Sequence, residues 1–414
     1  MIGKARALMT QCKLDARYGS VTEDILEFDG QRYLDGRASD PTKLGWMRGA
    51  PPPPNRRITF ENGNVWSFPE LRWSLSHINE LRPTVRVWRG QGGPSKPEPY
   101  KNFSDIDALT FTDADGRPRR FDEALLDTFT DGCLVLHRGH IVYERYFGAL
   151  ERHVPHSCQS ITKSYAGTLA ASYVHEGVLD ESKTISHYLP ELRGTGWEDA
   201  TLRQVMDMQT NLDCTEDYTK EDASFRCDYL SAIRKQGKHG EFSYRSVNTN
   251  VMAWVMSRVI GRSFAELLQT RLWTPLGCEE DAYVDIDSTT GMPRAHCGLN
   301  ATLRDLARFG ELMRCEGTWK GQQLIPASVV HDLHFGDHPA KPVPRSGYTY
   351  RSQWWVSHNE LDSLEAHGLY GQVLYISPKA EMVIAIFASH PESFSRIDHI
   401  RAPQMLALGR MLCG

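Results

Sequence analysis

Ser160 and Lys163, in the run Ser160-Ile-Thr-Lys163, stand three residues apart. On a helix, positions i and i+3 share a face, so the lysine amine can reach the serine hydroxyl. If the pair opens the helix, dipole and desolvation both disfavour an ammonium there and draw the lysine toward the range of a general base. The first N–H groups of the helix have no partner within it, so the N–H of Ser160 can help hold an oxyanion. That is the chemistry of an activated serine nucleophile. An S-x-x-K pair is expected about once by accident in such a chain, and one occurs here. On spacing and context alone, a surface serine and lysine is an equal reading.

Two further segments could complete such a site. In FSYRSVNTNVMAWV, Tyr244 sits just before a helical pattern, where a phenol beside a Ser/Lys pair can relay a proton to a departing amine. Taken alone, a tyrosine is more often a buried aromatic with a satisfied hydroxyl. In AHGLYGQVLYIS, Gly368 and Gly371 open a strand pattern. Glycine suits a strand edge that passes close to a substrate, and exposed N–H groups there can supply the second half of an oxyanion hole. Ordinary turn glycines are the alternative.

The elements that must position these residues are legible as patterns. FDEALLDTF has helical spacing, and CLVLHRGHIVYERYF reads as two strands joined at Arg138-Gly139. An amphipathic helix follows over about 160–175, closed by Gly177 and lined by Ala166, Gly167, Ala170 and Ala171. Residues 196–334 are mostly helical in pattern. GQVLYIS and EMVIAIFAS return to strands around Pro378-Lys379-Ala380, before a short helix around MLALGRML. An antiparallel sheet built from sequence-distant pieces, with helices inserted between them, is expected. The first 118 residues carry Pro51 to Pro54 in a row and four of the ten tryptophans, Trp46, Trp66, Trp73 and Trp88. They read as an extended arm that wraps and docks on the body, because burying a tryptophan is strongly favourable.

Composition narrows the function classes. The chain has 414 residues, 10% of them aromatic, with 47 Lys+Arg against 52 Asp+Glu and a net charge of −5. No basic stripe is present, so nucleic acid is not an expected partner. Nine scattered cysteines without a C-x-x-C pair argue against a disulfide framework or a zinc ribbon. The histidines near 137–140 and 331–338 form no H-E-x-x-H motif, so neither metal nor cofactor is expected. Cys158 reads as a pocket-wall or core residue. No apolar run of membrane-spanning length and no signal-peptide pattern is visible, and a cytoplasmic location without membrane association is expected.

The segments taken together, in this order, resemble the serine hydrolases of the beta-lactamase fold, and most closely the 6-aminohexanoate-dimer hydrolases. The resemblance rests on RWSLSHINELRP, LVLHRGHIVYERY, SITKS, LRQVMDMQTNLDCTEDY, FSYRSVNTNVMAWV, LRDLARFGELM, QWWVSHNE and GLYGQ, which span nearly the whole chain. It implies an α/β (α+β) fold of the beta-lactamase/DD-peptidase type: an arm over 1–118, an α/β sheet domain over 119–195 and 335–414, and a mainly helical domain over 196–334. It implies Ser160 as the acylated nucleophile, Lys163 as its base, Tyr244 as the proton relay, and the N–H groups of Ser160 and Leu369 as the oxyanion hole. Tyr218 matches a tyrosine on a mobile substrate-touching loop, and His296 a substrate-pocket position of variable identity. Two positions depart from the beta-lactamase pattern. Ser246 stands where the second motif usually has Asn, and Ala366-His367-Gly368 where the third usually begins with Lys. The missing lysine removes the cation that would hold a beta-lactam carboxylate, so other small substrates are favoured, with His367 and Gly368 lining their site.

The expected activity is hydrolysis of small linear amides through an acyl-enzyme. A carboxylesterase or D-amino-acid peptidase on the same scaffold is the first alternative, and a catalytically silent binding protein the second. The resemblance implies a homodimer.

Overall fold

Arg138 and Gly139 both take left-handed backbone, φ 53° and 74°, the geometry that joins two twisted strands through a two-residue turn. The computed structural model describes residues 25–28, 31–91, 105–214, 227–287, 290–336, 347–392 and 398–413. In chain order, the elements that bear on the site begin with β1 (Thr84–Val87), α1 (Phe121–Asp127), β2 (Thr130–His137), β3 (His140–Tyr146), β4 (His156–Ser157) and α2 (Ile161–His175). They continue with α3 (Ser246–Ile260), β5 (Ala282–Asp285), β6 (Leu299–Ala301) and α4 (Leu303–Arg314). The last are β7 (Tyr348–Arg351), β8 (Trp354–Ser357), β9 (Leu364–Gly368), β10 (Gln372–Ser377), β11 (Met382–Ala388) and α5 (Asp398–Cys413).

Seven of the strands form one antiparallel sheet in the order β7-β8-β9-β10-β11-β2-β3. Its closing pair, β11 on β2, sets Met382 opposite His137 and Ile386 opposite Cys133. Successive side chains point to opposite faces, and both faces are covered. Leu134, Leu136, Leu374, Val383 and Ala385 enter the larger core, which α2 and α4 share. Cys133, Val135, Val373, Tyr375 and Ile384 enter a second core under α1 and α5. Hence β2 is buried at every position instead of alternating.

Helix α2 differs from the amphipathic reading: every residue from Ile161 to Tyr173 is buried. The sheet lies on one side of it and α3 on another. The small residues make this possible. A Cβ on Gly167 would fall 2.0 Å from the Ser352 carbonyl oxygen, at the tip of the β7–β8 hairpin. The span 196–334 also holds more than helices. It contributes β5 and β6 to a four-stranded sheet, β1-β5-β6-β4, and its helix α4 packs on the large sheet. The terminal helix α5 is longer than the short segment expected, running sixteen residues with Pro403 inside.

The described part of the arm is docked. Trp46, Ile58, Val65 and Trp73 are buried together, with Trp66 against them. Buried Arg72 bonds Asp131 at 3.1 Å, Ser389 at 3.1 Å and the Gly36 carbonyl at 2.6 Å. β1 pairs with β5, which carries the arm into the small sheet. No helix among the described residues is long and apolar enough to cross a membrane.

Candidate active site

The turn that carries Ser160 is built by the small sheet. Ser157 N–H donates to the Leu75 carbonyl of the arm, and Cys158 N–H to the Leu299 carbonyl, both at 2.8 Å. Gln159 then takes φ 48°, a left-handed conformation that costs a residue with a side chain and turns the chain sharply into α2. Ser160 occupies the N-cap of that helix, yet its hydroxyl makes no capping bond. It accepts instead from Lys163 Nζ at 2.9 Å.

Lys163 is fully buried. Its amine also donates to the His296 carbonyl at 2.9 Å and lies 5.0 Å from the centroid of the Tyr244 ring. No carboxylate stands within ion-pair range of it among the described residues. The loop between β5 and β6 delivers the His296 carbonyl. A Cβ on Gly298 in that loop would meet Asp285 Oδ1 at 2.5 Å and the Arg294 carbonyl at 2.7 Å, so the loop closes tightly over the Arg294–Asp285 ion pair at 3.0 Å.

Tyr244 ends the loop that leads into α3. Its ring stacks on Trp355 of β8, with centroids 5.7 Å apart, and meets Tyr350 of β7 edge-on at 6.0 Å. Phe242 and Met208 complete this cluster. Trp355 in turn meets the His367 ring edge-on at 6.3 Å, so an aromatic wall runs from the lysine to β9. Ser246 lies buried at the start of α3. Asn248 is turned toward Thr210, whose hydroxyl donates to it at 2.7 Å.

Gly368, the last residue of β9, runs beside the turn that carries Ser160. Its backbone is extended, φ −127°, and a Cβ would fall 2.7 Å from the Cys158 carbonyl oxygen. Glycine is required here by the backbone before Ser160. Leu369 follows, and neither its N–H nor that of Ser160 donates to an acceptor among the described residues. Gly371 takes φ 95°, where only glycine is unstrained.

The remaining expected positions are placed as follows. The His296 ring is buried, 3.2 Å from Asn250 Oδ1 and 3.1 Å from Cys297 Sγ. Burial first, then the charges of Lys163 and Arg82, hold its pKa well below the ordinary imidazole range, so it is neutral. What it presents to Lys163 is its backbone carbonyl. His367 Nε2 lies 2.7 Å from the buried carboxylate of Glu365, which also accepts from Ser363 and Tyr348. Tyr218 lies outside the described residues. Cys158 is fully buried, and desolvation raises its thiol pKa far above the ordinary range, so it is inert.

Sequence reasoning missed Trp355, Asn250 and Gln372. Trp355 and Gln372 stand in quoted segments, QWWVSHNE and GLYGQ, but only the approach of β8 to Tyr244 and of β10 to Leu369 gives them a place. Asn250 stands in the quoted FSYRSVNTNVMAWV, one turn into α3, with no chemical signal of its own.

The beta-lactamase family model matches residues 123–404. The 6-aminohexanoate-dimer hydrolase of Paenarthrobacter ureafaciens is 31% identical over 395 residues, 89% of this chain and 93% of that one. A Bacillus anthracis structure described as a candidate 6-aminohexanoate-dimer hydrolase superposes with a TM-score of 0.78 at 31% identity, over 84% of this chain and 96% of that one. A family VIII carboxylesterase superposes at 0.58 with 17% identity, over 70% of this chain and 95% of that one, a likeness of fold alone. With a buried lysine on the hydroxyl of the serine that opens its central helix, this chain belongs to the beta-lactamase family of serine hydrolases.

Proposed function

We propose that the protein hydrolyses small linear amides of the 6-aminohexanoate-dimer type through an acyl-enzyme on Ser160. The observation that carries this reading is the 2.9 Å contact between Lys163 Nζ and Ser160 Oγ in a buried setting without a competing carboxylate among the described residues. Ser160 Oγ attacks the amide carbon while its proton passes to Lys163 Nζ. The carbonyl oxygen becomes the oxyanion, received by the N–H groups of Ser160 and Leu369. As the C–N bond breaks, the leaving nitrogen takes up a proton relayed by Tyr244. Water then attacks the acyl ester, releasing the carboxylic acid and returning the proton to Ser160. The substrate class comes from the dimer-hydrolase relative, and the aromatic wall of Tyr244, Trp355 and Tyr350 suits an unbranched methylene chain. Ala366, in place of a cation on β9, supports weak or absent beta-lactam hydrolysis.

The test sets a linear aminohexanoate dimer, a p-nitrophenyl ester and nitrocefin side by side, with wild type and Ser160→Ala. Cleavage of the dimer and the ester, abolished in the variant, is the expected outcome. Retained activity in Ser160→Ala overturns the nucleophile. Cleavage of the ester alone makes the protein a carboxylesterase.

A further inference from the structure

Leu369, Tyr370 and Gly371 form the turn between β9 and β10, and each of their carbonyls is gripped by a different segment. Leu369 O accepts from the Gln372 side-chain amide at 2.9 Å. Tyr370 O accepts from the His390 N–H at 3.0 Å, just past β11. Gly371 O accepts from the guanidinium of Arg401, on α5. Tyr370 holds φ 63°, and its ring lies flat on Trp66 of the arm, 3° from parallel at 6.3 Å. A left-handed tyrosine persists only where its surroundings over-determine it.

Arg401 is the unusual member. It is fully buried, yet its acceptors are the Gly371 carbonyl, the Thr128 carbonyl at 3.1 Å and the Thr130 hydroxyl at 3.4 Å. No carboxylate stands within ion-pair range of it among the described residues. Desolvation draws its pKa down to about 10. Burying a cation without a paired anion is costly, and an apolar residue would fill the space more cheaply. What guanidinium adds is a rigid fork of donors. Here the fork ties the turn to the residues that lead into β2. Gln372 complements it: its buried amide also donates to Ala388 O at 2.6 Å and accepts from Ala388 N–H at 3.0 Å. A Cβ on Gly368 would touch its side chain at 2.8 Å.

We propose that Arg401 and Gln372 are positioning residues for the oxyanion hole: they lock the Leu369–Gly371 turn so that the Leu369 N–H is aimed before substrate arrives. This rests on the serine-hydrolase reading above. A donor set in advance stabilises charge that develops only in the transition state, so loosening the turn lowers kcat and leaves ground-state binding alone.

The experiment uses the full chain as wild type, Arg401→Lys, Arg401→Met and Gln372→Met. It measures kcat and KM on a p-nitrophenyl ester, affinity for an alkyl boronic acid that mimics the tetrahedral adduct, affinity for the product carboxylate, and cooperative melting. Expected in the folded variants is a fall in kcat of about 10- to 100-fold with KM within about threefold. Boronate affinity falls in parallel and product affinity does not. Arg401→Lys retains more than Arg401→Met. Wild-type kcat and boronate affinity in any folded variant overturns the assignment of that residue, as does equal loss of boronate and product binding. If the Arg401 variants fail to fold, Gln372→Met decides. Fluorophosphonate labelling separates the two levels: no labelling of wild-type Ser160 overturns the hydrolase reading and the clamp with it, while labelling with unaffected variants overturns the clamp alone.

Discussion

The carbonyl of His296 accepts a hydrogen bond from Lys163 Nζ at 2.9 Å, across 133 residues of sequence. It holds the amine at the same distance from Ser160 Oγ, so the helix supplies the pair and a distant loop supplies its aim. Lys163→Met keeps the length and the burial but removes the amine proposed as the base. General-base loss is worth ~10²–10⁴ in rate. The expected result is a fall of that size in kcat on esters and amides alike, with a fluorophosphonate labelling rate reduced in step.

Tyr244→Phe preserves the ring contacts with Trp355, Tyr350 and Lys163 and removes only the hydroxyl. An amine leaves poorly without a proton, whereas an alkoxide or phenoxide leaves with less help. We expect a loss of about 10²-fold or more on the amide and a clearly smaller one on the ester. Equal losses, read from kcat/KM on both substrates, would remove the relay role.

Gly368→Ala places a Cβ 2.7 Å from the Cys158 carbonyl oxygen. The carbonyl is backbone and not the end of a flexible side chain, so β9 or the turn that carries Ser160 must shift. Overpacking of this kind costs about 1–3 kcal/mol. A lowered urea midpoint with an unchanged m-value, together with reduced kcat, is the expected pair of readings.

Arg72 and Asp131 form an ion pair whose side chains are 2% and 4% exposed, and it fastens the arm to β2. Removing one partner of a buried pair costs ~3–5 kcal/mol. Arg72→Met is therefore expected to lower the melting temperature by several degrees and to open the 31–91 segment to limited proteolysis. Intact digestion patterns would separate the arm's docking from this pair.

Stability should fall on mild acidification. Burial holds the pKa of His390 down to about 4 and that of His296 well below its ordinary value of 6.5. Below about pH 6.5 the unfolded chain binds protons that the folded chain refuses, so stability declines from there toward pH 4. For His390 the loss by pH 4 is about 3 kcal/mol. Urea titrations at pH 7, 5.5 and 4.5 should show the decline, and His390→Asn should flatten it.

Local chemistry was legible in the residues. Arg138-Gly139 announced its hairpin, and S-x-x-K at a helix start announced a serine and a lysine within reach, because turns and i,i+3 pairs depend on near neighbours alone. Helix α2 was misread as amphipathic because its surroundings, the sheet, α3 and the β7–β8 hairpin tip, come from far along the chain. The need for glycine at position 368 also has a source that the local pattern does not carry, the Cys158 carbonyl of a distant turn.

By itself, then, the sequence determined which groups could react and which elements would carry them: Ser160 and Lys163 on one helical turn, Tyr244 before another helix, and glycines flanking Leu369. Only the tertiary structure decided how they are held. The pairing of β11 with β2, the His296 carbonyl on Lys163, Trp355 against Tyr244, and Arg401 and Trp66 on the turn after Leu369 all join segments remote in sequence. Such contacts leave no periodic trace, because burial and backbone pairing select them only when the whole sheet closes.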